Sequence, residues 1–257
     1  MRKQEKMTIV SQTEIARDIF EMVLKGDLAK TMLTAGQFVN VKIGDGGFIL
    51  RRPISICNVN HETSELTLIY RAGDVTTGTR SLSNKLPGET VDILGPLGTG
   101  YDLDEVAADE TVLLVGGGIG VPPMYETAKQ LSARGNKVIA VLGFASIEDV
   151  FYEEKFRAYA DVHVATMDGS HGFKGHVVQL IQSEQFDFDW VLGCGPEVML
   201  KSLASEFGSS KKGYLSFEER MACGIGACYA CICESKDGVR SRVCKEGPVY
   251  PIGEVKV

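Results

Sequence analysis

The 257-residue sequence has no apolar run that approaches the roughly 18 to 20 residues of a membrane-spanning helix. No apolar segment follows its basic N-terminal residues, so a secretory signal peptide is not expected. Basic residues are also in deficit, because 27 Lys and Arg stand against 34 Asp and Glu, for a net charge of -7. This balance argues against binding to phosphate backbones. We therefore expect a cytoplasmic protein without a nucleic-acid or membrane partner.

The sequence also lacks any grouping typical of acid–base or nucleophilic catalysis, and its four histidines are scattered. A reaction in which this chain takes part should therefore be carried by cofactors, with the protein setting their positions and environment. The hydrophobic content of 44% is enough for a full globular core.

Residues 1–100 show short apolar runs of alternating pattern, separated by Gly, Asn or Asp, such as IFEMVLKG and ELTLIYRAG. Spacings near ten residues predict an antiparallel β-barrel or sandwich. One helix is expected within it, at TTGTRSLSNKL, because threonine can cap a helix N-terminus.

Residues 101–212 alternate apolar strands with longer helical segments, which predicts a doubly wound parallel sheet of α/β type. One of the expected helices covers 146–159. Residues 213–257 are rich in Cys and Gly and lack this rhythm, so we expect a small lobe ordered by something other than an apolar core. The fold class is thus multi-domain: a β-barrel, an α/β domain and a small C-terminal lobe.

A glycine-rich turn, GGGIG, lies between the first strand of the α/β region and a helix that begins near Pro122. Glycines at this point allow the backbone to approach a pyrophosphate, whose charge the helix N-terminus favours. A tight turn without a ligand is the alternative. Glu148 and Asp149 follow the next strand, where a 2′-phosphate would need Arg or Lys, so NAD is favoured over NADP.

Four of the seven cysteines fall within the segment RMACGIGACYACICE. Cys223, Cys228 and Cys231 have the spacing C-x4-C-x2-C, and Cys244 follows after twelve further residues. This three-plus-one arrangement is typical of a plant-type [2Fe–2S] site. Structural zinc is the rival, although it usually uses two C-x2-C pairs. Cys233 could replace Cys231 in principle, but we expect it to be a spare thiol.

A barrel that carries RPIS, followed by an α/β region that opens with GGGIG and closes with VLGCGP, resembles the ferredoxin-NADP reductase superfamily. The motifs GGGIGVPPMYE, LGFAS, DGSHGFKGHV, CGPEVML and ERMACGIGACYACIC resemble, more closely, the electron-transfer subunits of class B dihydroorotate dehydrogenases. The likeness covers nearly the whole chain. It implies an FAD-binding barrel over 1–100, an NAD-binding domain over 101–212 and a [2Fe–2S] domain over 213–257.

The resemblance also implies which residues bind each cofactor. Around the flavin it places a strand motif, the next strand and a helix start: Arg52, Pro53, Ile54, Ser55, Ile69, Tyr70, Arg71, Gly78 and Thr79. Around the nicotinamide dinucleotide it places Gly117, Gly118, Ile119, Gly120, Gly195 and Pro196, with Cys194 near the reacting ring as a catalytic residue. For Cys194, a buried structural thiol is the alternative.

By the same resemblance, an FMN-containing catalytic subunit with a TIM-barrel fold oxidises dihydroorotate, and electrons pass through [2Fe–2S] and FAD to NAD+ in pyrimidine biosynthesis. The expected assembly is a heterotetramer with two of each subunit. A related NAD(P)H-ferredoxin oxidoreductase subunit, or a hydrogenase-linked diaphorase subunit, is a second possibility. A cofactor-binding regulatory module without catalysis is a third.

Overall fold

The first domain is a closed antiparallel barrel. The computed structural model describes residues 2–44 and 47–256. Six strands pair in the order β1-β2-β5-β4-β3-β6. They are β1 (Lys3–Ala16), β2 (Ile19–Lys25), β3 (Phe38–Val41), β4 (Arg52–Asn60), β5 (Glu65–Arg71) and β6 (Thr90–Leu97). Buried side chains such as Met22 and Leu68 fill the interior, as the alternating pattern predicted. The expected barrel is confirmed.

Helix α1 (Gly78–Ser83) interrupts the barrel strands where the sequence predicted a helix. Its N-cap is Thr77, whose hydroxyl accepts a hydrogen bond from the backbone N–H of Arg80. The Arg80 side chain in turn bonds to Asp18, in the turn between β1 and β2. The start of α1 is therefore fixed both by its own cap and by the barrel.

The second domain is built on a seven-stranded sheet with the order β10-β9-β8-β7-β11-β12-β15. Its pairs are parallel except β12 with β15, which is antiparallel. The strands after the barrel are β7 (Thr111–Gly117), β8 (Lys137–Phe144), β9 (Asp161–Thr166), β10 (Phe173–Lys174), β11 (Trp190–Cys194), β12 (Lys212–Ser216), β13 (Ile232–Glu234), β14 (Arg240–Arg242) and β15 (Val249–Pro251).

Helices cover both faces of this sheet, as in a doubly wound fold. They are α2 (Val121–Ala133), α3 (Glu153–Phe156), α4 (Val177–Glu184) and α5 (Glu197–Phe207). Helix α2 packs between the sheet and the barrel, and its Val121 and Met124 share a core with Ile69 of β5. Helices α4 and α5 cover the opposite face. The expected α/β sheet is confirmed.

The helix expected over 146–159 is wrong in extent, because only Glu153–Phe156 is α-helical. Ser146 and Asp149 form a reciprocal capping box around a short 3-10 turn, which closes the first part of the segment. Tyr152 then has a φ of 67°, in the left-handed region, which breaks helical continuity.

The C-terminal region does more than form a separate lobe. Strands β12 and β15 extend the large sheet, and β13 and β14 form a small hairpin. The sheet therefore continues past residue 212, where we placed the last domain boundary, and the cysteine-bearing segment lies between two strands of that sheet.

Arg17 joins the barrel to the α/β domain: its backbone N–H donates to the carbonyl of Glu148, and its guanidinium donates to both carboxylate oxygens of Asp149 at 3.1 Å. Glu126 of α2 makes a second link by accepting from the N–H of Val59 in β4 at 3.0 Å. Within the described part of the chain, no helix has the length and apolar character needed to cross a membrane.

Candidate cofactor sites and the cavities between them

Two glycine-rich turns at the carboxyl ends of β7 and β11 pack backbone against backbone. A Cβ atom on Gly120 would lie 2.2 Å from the carbonyl oxygen of Cys194, and one on Gly117 would lie 2.7 Å from the Sδ atom of Met199. Any other residue would push the turns apart. Gly117 and Gly120 are thus required by the close contact of these turns, whereas an added Cβ on Gly118 would have no neighbour within 4 Å.

Two adjoining cavities flank this pair of turns, and both are lined by Arg71, Gly117, Gly118 and Pro196. The larger, of about 670 Å³, has many polar and charged walls and is called the polar cavity. Ile119, Gly120 and Gly195 also line it. The other, of about 450 Å³, is called the apolar cavity because its walls include Phe144, Met167, Val177, Val198 and Met199.

The segment 168–176, which belongs to the DGSHGFKGHV motif, reaches the same place. Gly175 and His176 line the apolar cavity. His176 also caps α4, since its Nδ1 atom accepts from the N–H of Gln179 at 3.4 Å.

On the barrel side, Arg52 lies against the start of α1. A Cβ atom on Gly78 would lie 3.1 Å from both Nε and Nη2 of Arg52. Thr79 accepts a hydrogen bond from the N–H of Gly73 at 3.1 Å, which fixes the loop before the helix. A guanidinium beside open backbone N–H groups suits a phosphate group, so these residues fit the flavin pyrophosphate expected here.

Arg51, the neighbour of Arg52, is not available for such a role. It pairs with Asp92 at 2.9 Å and also donates to the carbonyl oxygens of Asn40 and Asp92. The two adjacent arginines therefore have different surroundings: Arg51 links β3 to β6, and Arg52 faces α1.

A third space, the barrel-side cavity of about 110 Å³, brings together three parts of the chain. Pro53 and Ser55 come from β4, Cys194 ends β11, and Glu218 and Met221 precede the first cysteine of the cluster motif. Phe217, Glu218 and Glu219 line both this space and the polar cavity. Residues expected at the flavin and at the nicotinamide thus line one space with the segment that leads to Cys223.

Cys194 is buried, with 2% of its surface exposed. Burial, together with the nearby Glu218 carboxylate, raises its pKa to about 12, so the group is a neutral thiol near pH 7. Tyr101 supports the turn by donating to the carbonyl of Gly193 at 3.3 Å.

Glu218 is the residue at this junction that sequence reasoning missed. Glu218 is an exposed residue, but neighbouring atoms partly desolvate its carboxylate. This desolvation raises the pKa of Glu218 above its usual value. The one sequence feature that could have indicated its role is its position shortly before the cysteine motif.

Three of the residues expected around the flavin are core residues. Ile54 and Tyr70 are buried within the barrel, and Ile69 is buried between the domains. The Tyr70 hydroxyl donates to Gln12 at 2.9 Å. None of these side chains lines the cavities described above, so contact with a flavin would have to involve their backbone.

The acidic pair proposed to favour NAD has a partner within the protein. Glu148 and Asp149 both bond to Arg17. Burial alone would raise the pKa of Asp149, but hydrogen bonds from Ser146 and Arg17 lower it below its usual 3.8. These carboxylates therefore act first as a link between domains.

The four proposed cluster ligands lie near one another in the C-terminal region. The backbone N–H of Cys244 donates to the Cys231 sulfur at 3.5 Å, and Cys228 contributes to lowering the pKa of Cys223. Cys231 and Cys244 are buried, Cys223 is half-buried and Cys228 is exposed. Within residues 2–44 and 47–256, no three His, Cys, Asp or Glu side chains converge where a single metal ion could sit. The C-x4-C-x2-C spacing, with one C-x2-C pair in place of two, remains the observation that favours a two-iron cluster over a tetrahedral zinc.

Backbone N–H groups point at these sulfurs. Cys223 accepts from Ile225 at 3.4 Å and from Ala227 at 3.3 Å, and Cys244 accepts from Gly226 at 3.2 Å. Burial opposes ionisation of Cys223, but these donors and Cys228 outweigh it and lower its pKa to about 6. Such N–H···S bonds stabilise the thiolates of an iron–sulfur cluster. The donor set therefore fits [2Fe–2S].

Cys233 is not one of these four thiols. Its Sγ atom lies 3.6 Å from the carbonyl of Ser241 and 3.5 Å from the hydroxyl of Tyr250. It thus occupies a hydrogen-bonded position in the β13–β14 hairpin, consistent with the spare thiol that the spacing predicted.

Three features together define the class of protein: the closed barrel, the two glycine-rich turns and the four thiols of the C-terminal region. The chain is a flavin- and nicotinamide-dependent electron-transfer protein of ferredoxin reductase type with an iron–sulfur domain. Residues 218–256 match the iron-sulfur cluster binding domain of dihydroorotate dehydrogenase B. The structure of an NADH-dependent reduced ferredoxin-NADP oxidoreductase has a TM-score of 0.86 at 28% identity, covering 98% of this chain and 90% of that one. A ferredoxin NADP+ reductase from Neisseria gonorrhoeae has a TM-score of 0.69 at 14% identity, with 82% and 92% covered, and shares the fold.

Full-length relatives narrow this class. The dihydroorotate dehydrogenase B (NAD(+)) electron transfer subunit of Bacillus cereus (strain B4264) is 50% identical over 260 residues, 99% of each chain. The protein of the same name from Bacillus anthracis (strain CDC 684 / NRRL 3495) is 49% identical with the same coverage. The chain belongs to this family of electron transfer subunits.

Proposed function

We propose that this chain takes electrons from a catalytic subunit that oxidises dihydroorotate and delivers them to NAD+, in the orotate-forming step of pyrimidine biosynthesis. The observation that carries the proposal is the barrel-side cavity. There Pro53 and Ser55 of the barrel, Cys194 of the α/β domain and the residues leading to Cys223 line one space. Groups bound in these three parts would lie next to one another.

When bound, the nicotinamide exchanges a hydride, the cluster exchanges single electrons, and FAD converts between the two. The residues of the chain bind and orient these groups. Arg52, Gly78 and Thr79 would hold the FAD pyrophosphate, and Pro53 and Ser55 would lie at the flavin ring. Cys194 would present a neutral thiol beside the nicotinamide, because burial keeps it protonated.

Cys223, Cys228, Cys231 and Cys244 would hold the cluster, two on each iron. Cys228 and the neighbouring Tyr229 are exposed, and Ile225 is exposed as well, so this edge of the protein is open to a partner. The partner would be an FMN-containing subunit with a TIM-barrel fold, in an assembly with two of each chain. We propose a cytoplasmic location for this complex.

The test is reconstitution. The purified chain, loaded with FAD and cluster, should oxidise NADH with artificial acceptors but should not oxidise dihydroorotate. Adding the catalytic subunit encoded by the same organism should give dihydroorotate-dependent NAD+ reduction, and the two chains should elute together in equal amounts. Dihydroorotate oxidation by this chain alone would overturn the proposal.

A second candidate is a subunit of an NADH-dependent ferredoxin oxidoreductase, favoured by the TM-score of 0.86 to a protein of that description. It would have the same three cofactors and a different partner. Co-purification with a larger flavin and iron–sulfur protein, in place of an FMN subunit, would support it. Relatives 50% identical along the full length favour the first function.

A further inference from the structure

Asn40 is a polar residue buried between the barrel and the cysteine-bearing segment, with 1% of its surface exposed. It lies on β3, opposite Pro53 of β4 in the antiparallel register. Its backbone carbonyl also accepts from Arg51 at 3.3 Å, which fixes the strand at this point. The residue is therefore held beside the strand that is expected at the flavin.

Strand geometry explains why the Asn40 side chain leaves the barrel. Successive side chains of a strand point to opposite faces. Val39 and Val41, the two neighbours of Asn40, pack inside the barrel. Asn40 therefore points outward, on the same face of β3 as Phe38. Since Phe38 shares a core with Cys244, this outer face is covered by the region that carries the proposed cluster ligands.

The amide of Asn40 has a defined direction. Its Nδ2 atom donates to the carbonyl oxygen of Cys223 at 3.4 Å. A Cβ atom on Gly224 would lie 1.9 Å from the same Nδ2 atom but 3.5 Å from Oδ1. The opposite orientation of the amide would set two acceptor oxygens against each other. The NH2 end, which is the positive end of the amide dipole, therefore faces the first cysteine of the cluster motif.

The other end of this amide makes no hydrogen bond. Across the two described stretches of the chain, 2–44 and 47–256, the buried Oδ1 atom of Asn40 has no partner. A buried oxygen without a partner lowers stability, and an apolar side chain of the same shape avoids this cost. Stability therefore does not account for an amide at this position. What the amide adds is a fixed positive end beside Cys223.

A fixed positive end beside an iron–sulfur centre affects how readily the centre is reduced. The centre gains one electron on reduction, so it becomes more negative by one unit of charge. Hydrogen bonds around the ligands stabilise this more negative form and raise the reduction potential. The N–H groups of Ile225 and Ala227 come from the cluster loop itself, whereas the Asn40 amide is supplied by the barrel. The barrel thus contributes directly to the surroundings of the cluster.

We propose that Asn40 is a positioning residue for the [2Fe–2S] centre, which holds the Cys223 loop on β3 and favours the reduced cluster through the NH2 end of its amide. Because β3 pairs with the strand that carries Pro53, one strand pair would support the flavin and also adjust the centre with which the flavin exchanges electrons. The inference rests on the proposed function, since it requires the cluster held by the four cysteines.

The experiment uses the full chain loaded with FAD and cluster, kept without oxygen. Variants are Asn40→Leu and Asn40→Asp, both close to asparagine in size, with Asn136→Leu as the matched control. Asn136 is also buried, its Nδ2 atom donates to two backbone carbonyls, and its Oδ1 atom is unpaired among the described residues. It directly precedes β8, so it lies at the opposite end of the sheet from the glycine-rich turns.

Iron and FAD contents are measured first, and the cluster is then titrated with dithionite in the presence of redox dyes and followed by electron paramagnetic resonance. In Asn40→Leu we expect one cluster per chain and a reduction equilibrium constant about three- to tenfold lower, the effect of losing a fixed partial charge near an anionic group. A tenfold change is about 59 mV for a one-electron couple. Asn40→Asp should lower the constant at least as much, because an oxygen replaces the N–H donor. Asn136→Leu should leave the potential and the resonance unchanged.

Three results would overturn the inference. An unchanged potential in both Asn40 variants, with the cluster intact, would show that Asn40 only fills space. Loss of iron from both would show that it only holds the loop, and if one variant alone keeps its iron, its potential decides. An equal shift in Asn136→Leu would show a general effect on the fold. An original protein without a [2Fe–2S] centre defeats the proposed function, whereas an intact centre with unchanged Asn40 variants defeats this inference alone.

Discussion

A side chain on Gly224 would begin 1.9 Å from the amide nitrogen of Asn40, so the loop that carries Cys223 rests directly on strand β3 of the barrel. Asn40 also donates to the carbonyl oxygen of Cys223 at 3.4 Å. Gly224 has a φ of 66°, which favours glycine. The loop of the proposed cluster therefore packs against the barrel surface. Gly224 is required at this contact for two reasons, the lack of space beside Asn40 and its positive φ.

Gly224→Ala should lower the iron content of the purified protein and its visible cluster absorption by more than half, while FAD remains bound. Two effects add, namely the left-handed φ, which costs about 1–3 kcal/mol for a residue with a Cβ, and the clash with Asn40. Gly238→Ala is the matched control, because Gly238 has a φ of 78° but nothing within 4 Å of an added Cβ. Equal iron loss in both variants would contradict the seating of this loop on β3.

Cys228→Ser should abolish the cluster absorption, whereas Cys233→Ser should preserve it. Cys228 is part of the C-x4-C-x2-C spacing, whereas Cys233 lies 3.6 Å from the carbonyl of Ser241 and 3.5 Å from the hydroxyl of Tyr250. Iron and sulfide analysis of the two variants checks the ligand set. A protein that keeps its cluster without Cys228 and loses it without Cys233 would require a different fourth ligand.

Cys194→Ala should slow flavin reduction by NADH about tenfold, equivalent to about 1.4 kcal/mol of lost transition-state stabilisation. The thiol lines the same cavity as Pro53 and Ser55, where the two rings would meet. Cys57→Ala is the control, since Cys57 is also a buried thiol and lines none of the three cavities described here. An unchanged rate in Cys194→Ala would assign Cys194 to the core, the alternative left open by the sequence.

Cys194 should also affect stability at alkaline pH. Its pKa is about 12 in the folded chain against an ordinary value of 9.0, because burial disfavours the thiolate. The folded chain keeps this proton above pH 9 and the unfolded chain loses it. Stability is therefore fully present below pH 9 and falls by about 1.4 kcal/mol per pH unit between pH 9 and 12. Melting temperatures from pH 8 to 10.5 should fall more steeply for the original protein than for Cys194→Ala, and parallel curves would refute this.

Arg17→Ala should destabilise the loaded protein by about 1–3 kcal/mol, because it leaves the buried Asp149 carboxylate with fewer hydrogen bonds. The Asp149 side chain is 8% exposed, whereas Arg17 is 54% exposed and is easily replaced. Arg134→Ala is the control, as it removes a single pair with the exposed Asp104 and should cost less than about 1 kcal/mol. The comparison uses melting temperatures at pH 7, and equal shifts in the two variants would argue against the interdomain role of Arg17.

Local patterns predicted much of this structure. Alternating apolar residues predicted the barrel strands, Thr77 marked the start of α1, and the glycines after β7 marked the tight turn into α2. Each of these features depends on neighbouring residues in the sequence. The C-x4-C-x2-C spacing is local in the same sense, and the structure adds the backbone N–H groups that donate to Cys223 and Cys244.

Features that depend on distant residues were not predicted. The two-residue strand β10 is too short to show a pattern, and β15 joins the large sheet only through its pairing with β12. Arg17 forms ion pairs with Glu148 and Asp149, which lie about half of the chain away in sequence. The sequence suggested that these two acids favour NAD over NADP, and the structure shows that they also join the two domains.

The most direct test of the account is an anaerobic titration of the purified, loaded chain with NADH, followed by visible absorbance and by electron paramagnetic resonance. NADH should bleach the flavin and then reduce the cluster, giving the resonance of one reduced [2Fe–2S] centre per chain. Cys228→Ser should keep the flavin bleaching and lose that resonance. A protein in which NADH bleaches the flavin but never reduces an intact cluster would contradict an electron path between the two sites through this chain.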